Sequence, residues 1–414
     1  MADDERKPLI VIGCGRRAYR KYAMEALASR YALSTVLDVE PDWQREFIRD
    51  HRVVRLGDVS AVADAVQALA GDDLAGAGIL TWDETVLETT AAAAEKLGMR
   101  HMSARSAKRC RDKYLTRSLL ENAGIPSARY RLVHSVEEAV AAGRSIGLPV
   151  VVKPRALAGS IGVTFVDSEA ALRTAYGLAD HAAFATLHSD GVLVEEFLDG
   201  QEISVDSVVF DGAITCTHVV MKRLGFAPFF EEIGHLSASS AGEAWSDAVR
   251  SLVTAAHETL GIEWGVTHAE VRLTSGGPKL IELNGRLGGD FIPMIEAGST
   301  GVDLTMAAAD LAHGLRPDLT PTRDIAVEVR FVYPEADGIV RSVDLGAAES
   351  VPGIQQVIPI AEPGTTLLLP PRMAVPRIAA IIASAADSGG CAAALDRAET
   401  EISWVLDRVA PDGA

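Results

Sequence analysis

Aromatic residues are scarce, 5% of a 414-residue chain, so the core has to be built from Ala, Val, Leu and Ile. Cysteine is scarce too. Cys14, Cys110, Cys216 and Cys391 stand singly with no Cys-x-x-Cys pair, which argues against zinc knuckles and a disulfide framework and fits a reducing cytoplasm. No uninterrupted apolar stretch has the length of a membrane span. The Met-Ala-Asp-Asp-Glu start is polar and acidic, unlike a signal peptide. Positive charge is in deficit: the net charge of -18 would repel nucleic-acid phosphates. It leaves room for a small phosphate-bearing ligand in a locally basic pocket. Internal repeats and low-complexity tracts are also missing.

What is present is the balance of a soluble globular protein, 48% hydrophobic and 23% charged, with length for about three modules. Residues 8–13 read as a buried strand running into the Gly13-Cys14-Gly15 turn. A helix follows, then a strand near Leu33–Leu37 ending at Asp38, and another at Gly78–Thr81 before Trp82-Asp83-Glu84. Strands alternating with helices predict a parallel sheet. The turn reads as a tight strand–helix junction; a dinucleotide fingerprint wants a third glycine at position 18, where Ala stands. Residues 105–123 form a basic helix closed by Gly124-Ile125-Pro126, and a second helix starts near Ser135. The strand Val150–Pro154 leads into the small-residue loop 156–163. Two strands span 192–210, joined at Asp199-Gly200. The segment 224–242 reads as a loop, 244–260 as a helix, and 267–273 and 279–283 as strands around a Ser275-Gly276-Gly277-Pro278 turn. A helix covers 304–314. The region 325–414 alternates short strands with Gly/Pro turns and ends in an Ala-rich helix.

Glu270 sits on one of these paired strands, and Glu282 and Asn284 sit on the other. Two residues apart, Glu282 and Asn284 face the same side. Two carboxylates and an amide oxygen make a hard-oxygen set suited to Mg²⁺. Arg286-Leu287-Gly288-Gly289-Asp290 follows directly. The Arg fork matches paired oxygens, and the glycines let backbone come close to a ligand. Lys153 ends a valine strand beneath the glycine loop, a phosphate clamp without the Walker pattern. Lys113 lies on the basic helix. The segment Glu195-Glu196-Phe197-Leu198 with Gly200 and Glu202 reads either as an adenine hinge or as an ordinary hairpin with exposed acids.

In chain order, Lys113, Lys153 with its loop, Glu195 to Glu202, Glu270 and Glu282-x-Asn284-x-Arg286 resemble the ATP-grasp superfamily over nearly the whole chain. Glu231-Glu232-Ile233-Gly234-His235 and Glu282 to Gly289 most resemble L-amino-acid ligases of the bacilysin-synthetase type, which make dipeptides. The resemblance implies an α/β chain, α+β in parts, with the ATP-grasp fold. It implies a Rossmann-like pre-ATP-grasp domain over 1–105, a linker helix and lid over 106–190, a catalytic core over 191–324 and a carboxylase-like subdomain over 325–414.

The resemblance also implies roles. Lys113 and Lys153 hold the ATP phosphates, and the loop 158–162 with Gly159, Ser160 and Gly162 closes over them. Glu195, Glu196 and Leu198 meet adenine and Glu202 takes the ribose. Glu270, Glu282 and Asn284 hold two Mg²⁺, with Mn²⁺ as a substitute. Arg286 binds the substrate carboxylate and then the acyl phosphate, beside Gly288, Gly289 and Asp290. Glu232 and His235 line the amino-acid site, and Arg286, Lys153 and His235 are the candidate catalytic residues. The implied product is a dipeptide or amide with ADP and phosphate, in specialised-metabolite or antibiotic biosynthesis, made by a cytoplasmic homodimer.

An Asp at position 290 suggests a polar or cationic substrate, and Phe226, Phe229 and Phe230 supply apolar walls or anchor a loop into the core. The base that deprotonates the amine stays open between His235, a carboxylate and the phosphate. Two further readings stay open: purine-type or bicarbonate-activating ligation, and a nucleotide-binding module without turnover.

Overall fold

A computed structural model describes residues 6–187, 191–240 and 242–409. The N-terminal part is the expected parallel sheet. Its strand order is Asp50–Val53, Ala32–Leu37, Pro8–Ile12, Gly78–Leu80. Helix Arg17–Arg30 packs its Ala23, Met24 and Leu27 face, with Leu9 and Val11 of the sheet, into a cluster that also holds Leu304, Ala308 and Leu311. That cluster seats the N-terminal sheet on the rest of the chain through burial of apolar side chains.

Two antiparallel sheets form the middle. A four-stranded one has the order Tyr130–Val133, Val192–Glu196, Val150–Pro154, Thr164–Val166, backed by helices Val136–Ile146 and Glu169–Leu187. An eight-stranded one runs Gly277–Asn284, Trp264–Thr274, Gln201–Phe210, Ala213–Gly225, Glu231–Ser237, Ala326–Val332, Ala379–Ala385, Ile354–Pro359. Its last three strands come from beyond residue 325, so the C-terminal segment extends the same sheet. A three-stranded sheet of Thr366–Leu367, Gly338–Asp344 and Ser403–Arg408 completes the fold. Among the described residues, no helix is long and apolar enough to cross a membrane.

The strands of 192–210 belong to different sheets, and the chain crosses between them at Asp199-Gly200. Gly200 has φ 92°, and a Cβ there would collide with the Leu273 carbonyl oxygen, so only glycine makes this crossing. Elsewhere the structure corrects the sequence reading. The basic segment is two helices, Ala104–Arg111 and Lys113–Asn122, broken at Asp112 (φ -89°, ψ 96°). The Asp112 carboxylate caps the second helix at Leu115 N and clamps Arg155 at 2.8 and 2.6 Å, which brings Lys113 beside the end of the Lys153 strand. The segment read as a loop contains the strand Glu231–Ser237. Its polar residues hide the alternation because several of them are buried. A strand, Ser403–Arg408, follows the final helix Ser388–Glu399.

Candidate active site

The four-stranded and eight-stranded sheets face each other across a cleft enclosing about 870 Å³ of open space. Lys113, Lys153, Leu157 to Ser160, Glu195 to Leu198 and Glu202 line it, and so do Lys222, Glu232, Glu270, Glu282, Asn284 and Arg286. Most residues singled out in the sequence thus border one space; Gly162, His235, Gly288, Gly289 and Asp290 are not part of its lining.

Lys153 is 4% exposed at the end of its strand, with Nζ 2.7 Å from Glu195 Oε2. Arg117 Nε lies 2.9 Å from the other Glu195 oxygen, and Arg117 also donates to the Ile281 carbonyl. Burial would push Glu195 up, but Arg117 and Lys153 together hold it below the ordinary carboxylate range. Burial lowers Lys153, only partly offset by Glu195. Glu195 is therefore an ion-pair centre; the exposed-acid reading of this hairpin does not hold for it. Glu196 turns away to Arg129 (3.2 Å) and Lys279 (3.3 Å). Lys113 Nζ donates to the Leu157 carbonyl at 2.6 Å and to Glu282 at 3.0 Å, joining the loop to the opposite sheet. In the loop, Gly159, Ser160 and Gly162 have φ 66°, 55° and 72°, and Ser160 Oγ donates to the Phe230 carbonyl at 3.0 Å.

Glu270 and Glu282 are register partners on adjacent strands, and His268 pairs with Asn284 two residues along. Asn284 is 3% exposed and its Oδ1 has no hydrogen-bond partner. An unpartnered buried oxygen two residues along the strand from one carboxylate of a cross-strand pair fits a divalent cation of hard-oxygen preference.

The sequence reading missed Lys222. Buried to 3% exposure, its ammonium lies 2.8 Å from Glu202, 2.9 Å from Glu232 and 3.0 Å from Glu270. Burial lowers its pKa, but the three glutamates carry it well above the usual value. The same lysine helps hold Glu270 well below the carboxylate range against burial. Glu202 is further engaged by Arg272 at 2.9 Å.

Arg286 Nε donates to Glu84 of the N-terminal region at 2.5 Å, and Nη1 to the Leu287 carbonyl. A Cβ on Gly288 would press on His268 and Ile292 at 3.1 Å, so this glycine serves close packing within the chain; Gly289 faces open space. His235 is fully buried, with Nε2 3.1 Å from Glu232 and 3.8 Å from Asp290. Burial lowers its pKa, but Asp290 and Glu232 raise it on balance. Asp290 is itself paired with Arg377 at 2.6 Å, so its carboxylate is already neutralised from within the chain. That removes the ground for a cationic substrate. Phe230 lines the cleft, whereas Phe226 packs at a tilt against Tyr333 with centroids 4.8 Å apart.

Residues 146–294 match the model of the ATP-grasp domain, and residues 330–407 match the L-amino acid ligase C-terminal domain 2. The alanine–anticapsin ligase of Bacillus subtilis is 27% identical over 76% of this chain and 69% of its own length. Carnosine synthase 1 of Homo sapiens is 30% identical over 77% of this chain, which spans 41% of that protein. The crystal structure of an L-amino acid ligase from Bacillus licheniformis superposes with TM-score 0.82 over 98% of this chain and 100% of that one, at 22% identity. The chain is an ATP-grasp ligase related to the L-amino acid ligases.

Proposed function

We propose that the chain activates an amino-acid carboxylate as an acyl phosphate with ATP and couples it to an amine, giving ADP, phosphate and a dipeptide or amide. The observation that carries this reading is the convergence on one cleft of two lysines from one side and Glu270, Glu282, Asn284 and Arg286 from the other. The relatives support the choice of an amino acid.

In this reading Lys113 and Lys153 take the ATP phosphates. Their ammonium groups are already oriented by Glu282 and Glu195, so little reorganisation accompanies binding. The loop 158–162, with Gly159 and Gly162 at positive φ, closes over the phosphates and keeps water from the acyl phosphate. Backbone groups from Glu195 to Leu198 meet adenine. Glu202 keeps lone pairs for the ribose beyond those taken by Lys222 and Arg272. Glu270, Glu282 and Asn284 would hold two Mg²⁺ ions, for which Mn²⁺ is a substitute. Bound Mg²⁺ neutralises phosphate charge and polarises the transferred phosphoryl group.

Arg286 keeps guanidinium donors beyond those on Glu84 and Leu287. They orient the substrate carboxylate for attack on the γ-phosphate and then meet the charge of the tetrahedral intermediate. Glu232 receives the substrate ammonium, with His235 fixing its carboxylate. The amine of the second substrate attacks the acyl carbon and phosphate leaves. The same proposal divides the chain at residues 105, 190 and 324, with the lid sheet and its two helices lying mostly between the first two.

Phosphate release from Mg-ATP with amino acids, singly and in pairs, tests the reading, with products weighed by mass spectrometry. A pair-dependent release with a product one water lighter than the two substrates together is expected. Release that depends on bicarbonate, or ATP binding without ADP formation, would overturn it.

A further inference from the structure

Beyond the ATP cleft, a second group of charges surrounds His235. Arg377, just before strand Ala379–Ala385, is 1% exposed. Its Nη2 donates to Asp290 Oδ2 at 2.6 Å and to the Glu232 carbonyl at 2.9 Å. Nε donates to Tyr333 Oη at 2.9 Å and Nη1 to Tyr19 Oη at 3.3 Å, while the guanidinium lies 3.5 Å above the Phe331 ring. Tyr19 belongs to the N-terminal helix, so four distant stretches of chain, at 19, 232, 290 and 331–333, meet at one guanidinium. Such planar, stacked, multiply bonded pairing is what Arg does and Lys cannot.

Asp290 and Phe291 both hold positive φ, 50° and 66°, a conformation that residues with a Cβ avoid. The Arg377 bond and the stacking of Phe291 on Tyr19 (centroids 5.2 Å) hold them there. The Asp290 side chain keeps 23% exposure in front while the Arg377 side chain behind it has none. Asp290 sits just beyond the cleft lining: it lies 3.8 Å from His235 Nε2, which is 3.1 Å from the cleft-lining Glu232. Glu232, His235 and Asp290 are also close enough to suggest a cation site. Yet Arg377 already pairs Asp290 from within the chain, and Lys222, shared with Glu202 and Glu270, leaves Glu232 as the one carboxylate of the three-residue group with charge to spare.

We propose that the Arg377–Asp290 pair sets side-chain specificity for the carboxylate-bearing substrate: it makes the end of the cleft beside His235 neutral, so uncharged side chains are accepted and cationic ones rejected. This rests on the amino-acid ligase reading. A cationic side chain brought to Asp290 meets the Arg377 charge directly behind it. An anionic one meets Asp290 and Glu232. An uncharged side chain meets neither penalty, and Asp290 Oδ1 remains an acceptor for a hydroxyl or amide donor. Arg377 acts as a positioning residue through Asp290.

The test compares kcat/KM for alanine, glutamine, lysine and glutamate as activated substrate in the full chain and in Arg377→Met, Asp290→Asn and the double variant. Wild type is expected to prefer the uncharged pair. Arg377→Met frees the Asp290 charge and moves the lysine-to-glutamine ratio up by about tenfold or more. Asp290→Asn leaves Arg377 unpaired and moves the glutamate-to-glutamine ratio up similarly. The double variant returns to the uncharged preference. It leaves neither charge unpaired, so with Asp290→Asn it carries the test if Arg377→Met does not fold. An active wild type whose folded variants keep the same ranking overturns the pair's role alone. A wild type that turns over no amino acid overturns the ligase reading, and the pair's role with it.

Discussion

Arg286 Nε and Glu84 are hydrogen-bonded at 2.5 Å, joining residues 202 positions apart in the chain. Arg111 lies 3.5 Å from the other Glu84 oxygen, and Arg286 and then Arg111 hold that carboxyl below its usual range despite burial. The short helix Glu84–Val86 of the N-terminal region thus orients the arginine that follows strand Gly277–Asn284. Glu84→Gln keeps the shape and removes the charge. It is expected to raise KM for the carboxylate substrate by roughly tenfold while leaving KM for ATP near wild type, because a misaimed Arg286 loses substrate alignment and not phosphate binding. Steady-state kinetics with each substrate varied separately checks this; an equal rise in both KM values contradicts it.

Asn284, in its proposed role as a Mg²⁺ ligand, offers a way to separate metal binding from folding. Its buried Oδ1 bonds nothing in the protein, so Asn284→Ala removes no intramolecular hydrogen bond to that oxygen. The unfolding midpoint without metal should stay close to wild type. The Mg²⁺ concentration for half-maximal activity should rise by about 10–100-fold, the usual scale for disturbing a metal site. Thermal unfolding with and without Mg²⁺, beside a Mg²⁺ titration of activity, measures both. A large loss of stability without metal would make Asn284 structural.

His257 predicts the acid limb of stability. Fully buried, it lies 2.7 Å from the Val253 carbonyl and 2.7 Å from Thr267 Oγ1, and burial pushes its pKa down to about 4. The unfolded imidazole titrates near ~6.5. Between those values the unfolded state binds more protons, so stability is full above the unfolded value and falls as pH drops toward the folded one. The loss amounts to about 3 kcal/mol. Chemical denaturation across that pH range should show it, and His257→Asn should flatten it; an unchanged slope contradicts the assignment.

The Lys153 strand, the Glu282-x-Asn284-x-Arg286 run and the glycine loop are each common alone and become legible through their order along the chain. Lys222 lies between the segments read as strands and as a loop, although Val220 and Lys222 share the buried face of their strand and that alternation is a usable signal. Arg377 and Glu84 had none. Their roles arise from side chains meeting across sheets whose packing local sequence does not encode. The strand Glu231–Ser237 was lost for a related reason: its buried Glu231, His235 and Ser237 break the hydrophobic alternation that marks a strand.

The acyl phosphate is the central claim, and heavy-oxygen labelling tests it most directly. A substrate amino acid labelled in its carboxylate would be turned over with unlabelled Mg-ATP in ordinary water, and the released phosphate weighed. Transfer of one labelled oxygen from carboxylate to phosphate is the predicted result. Phosphate free of label, formed together with the amide product, would contradict it.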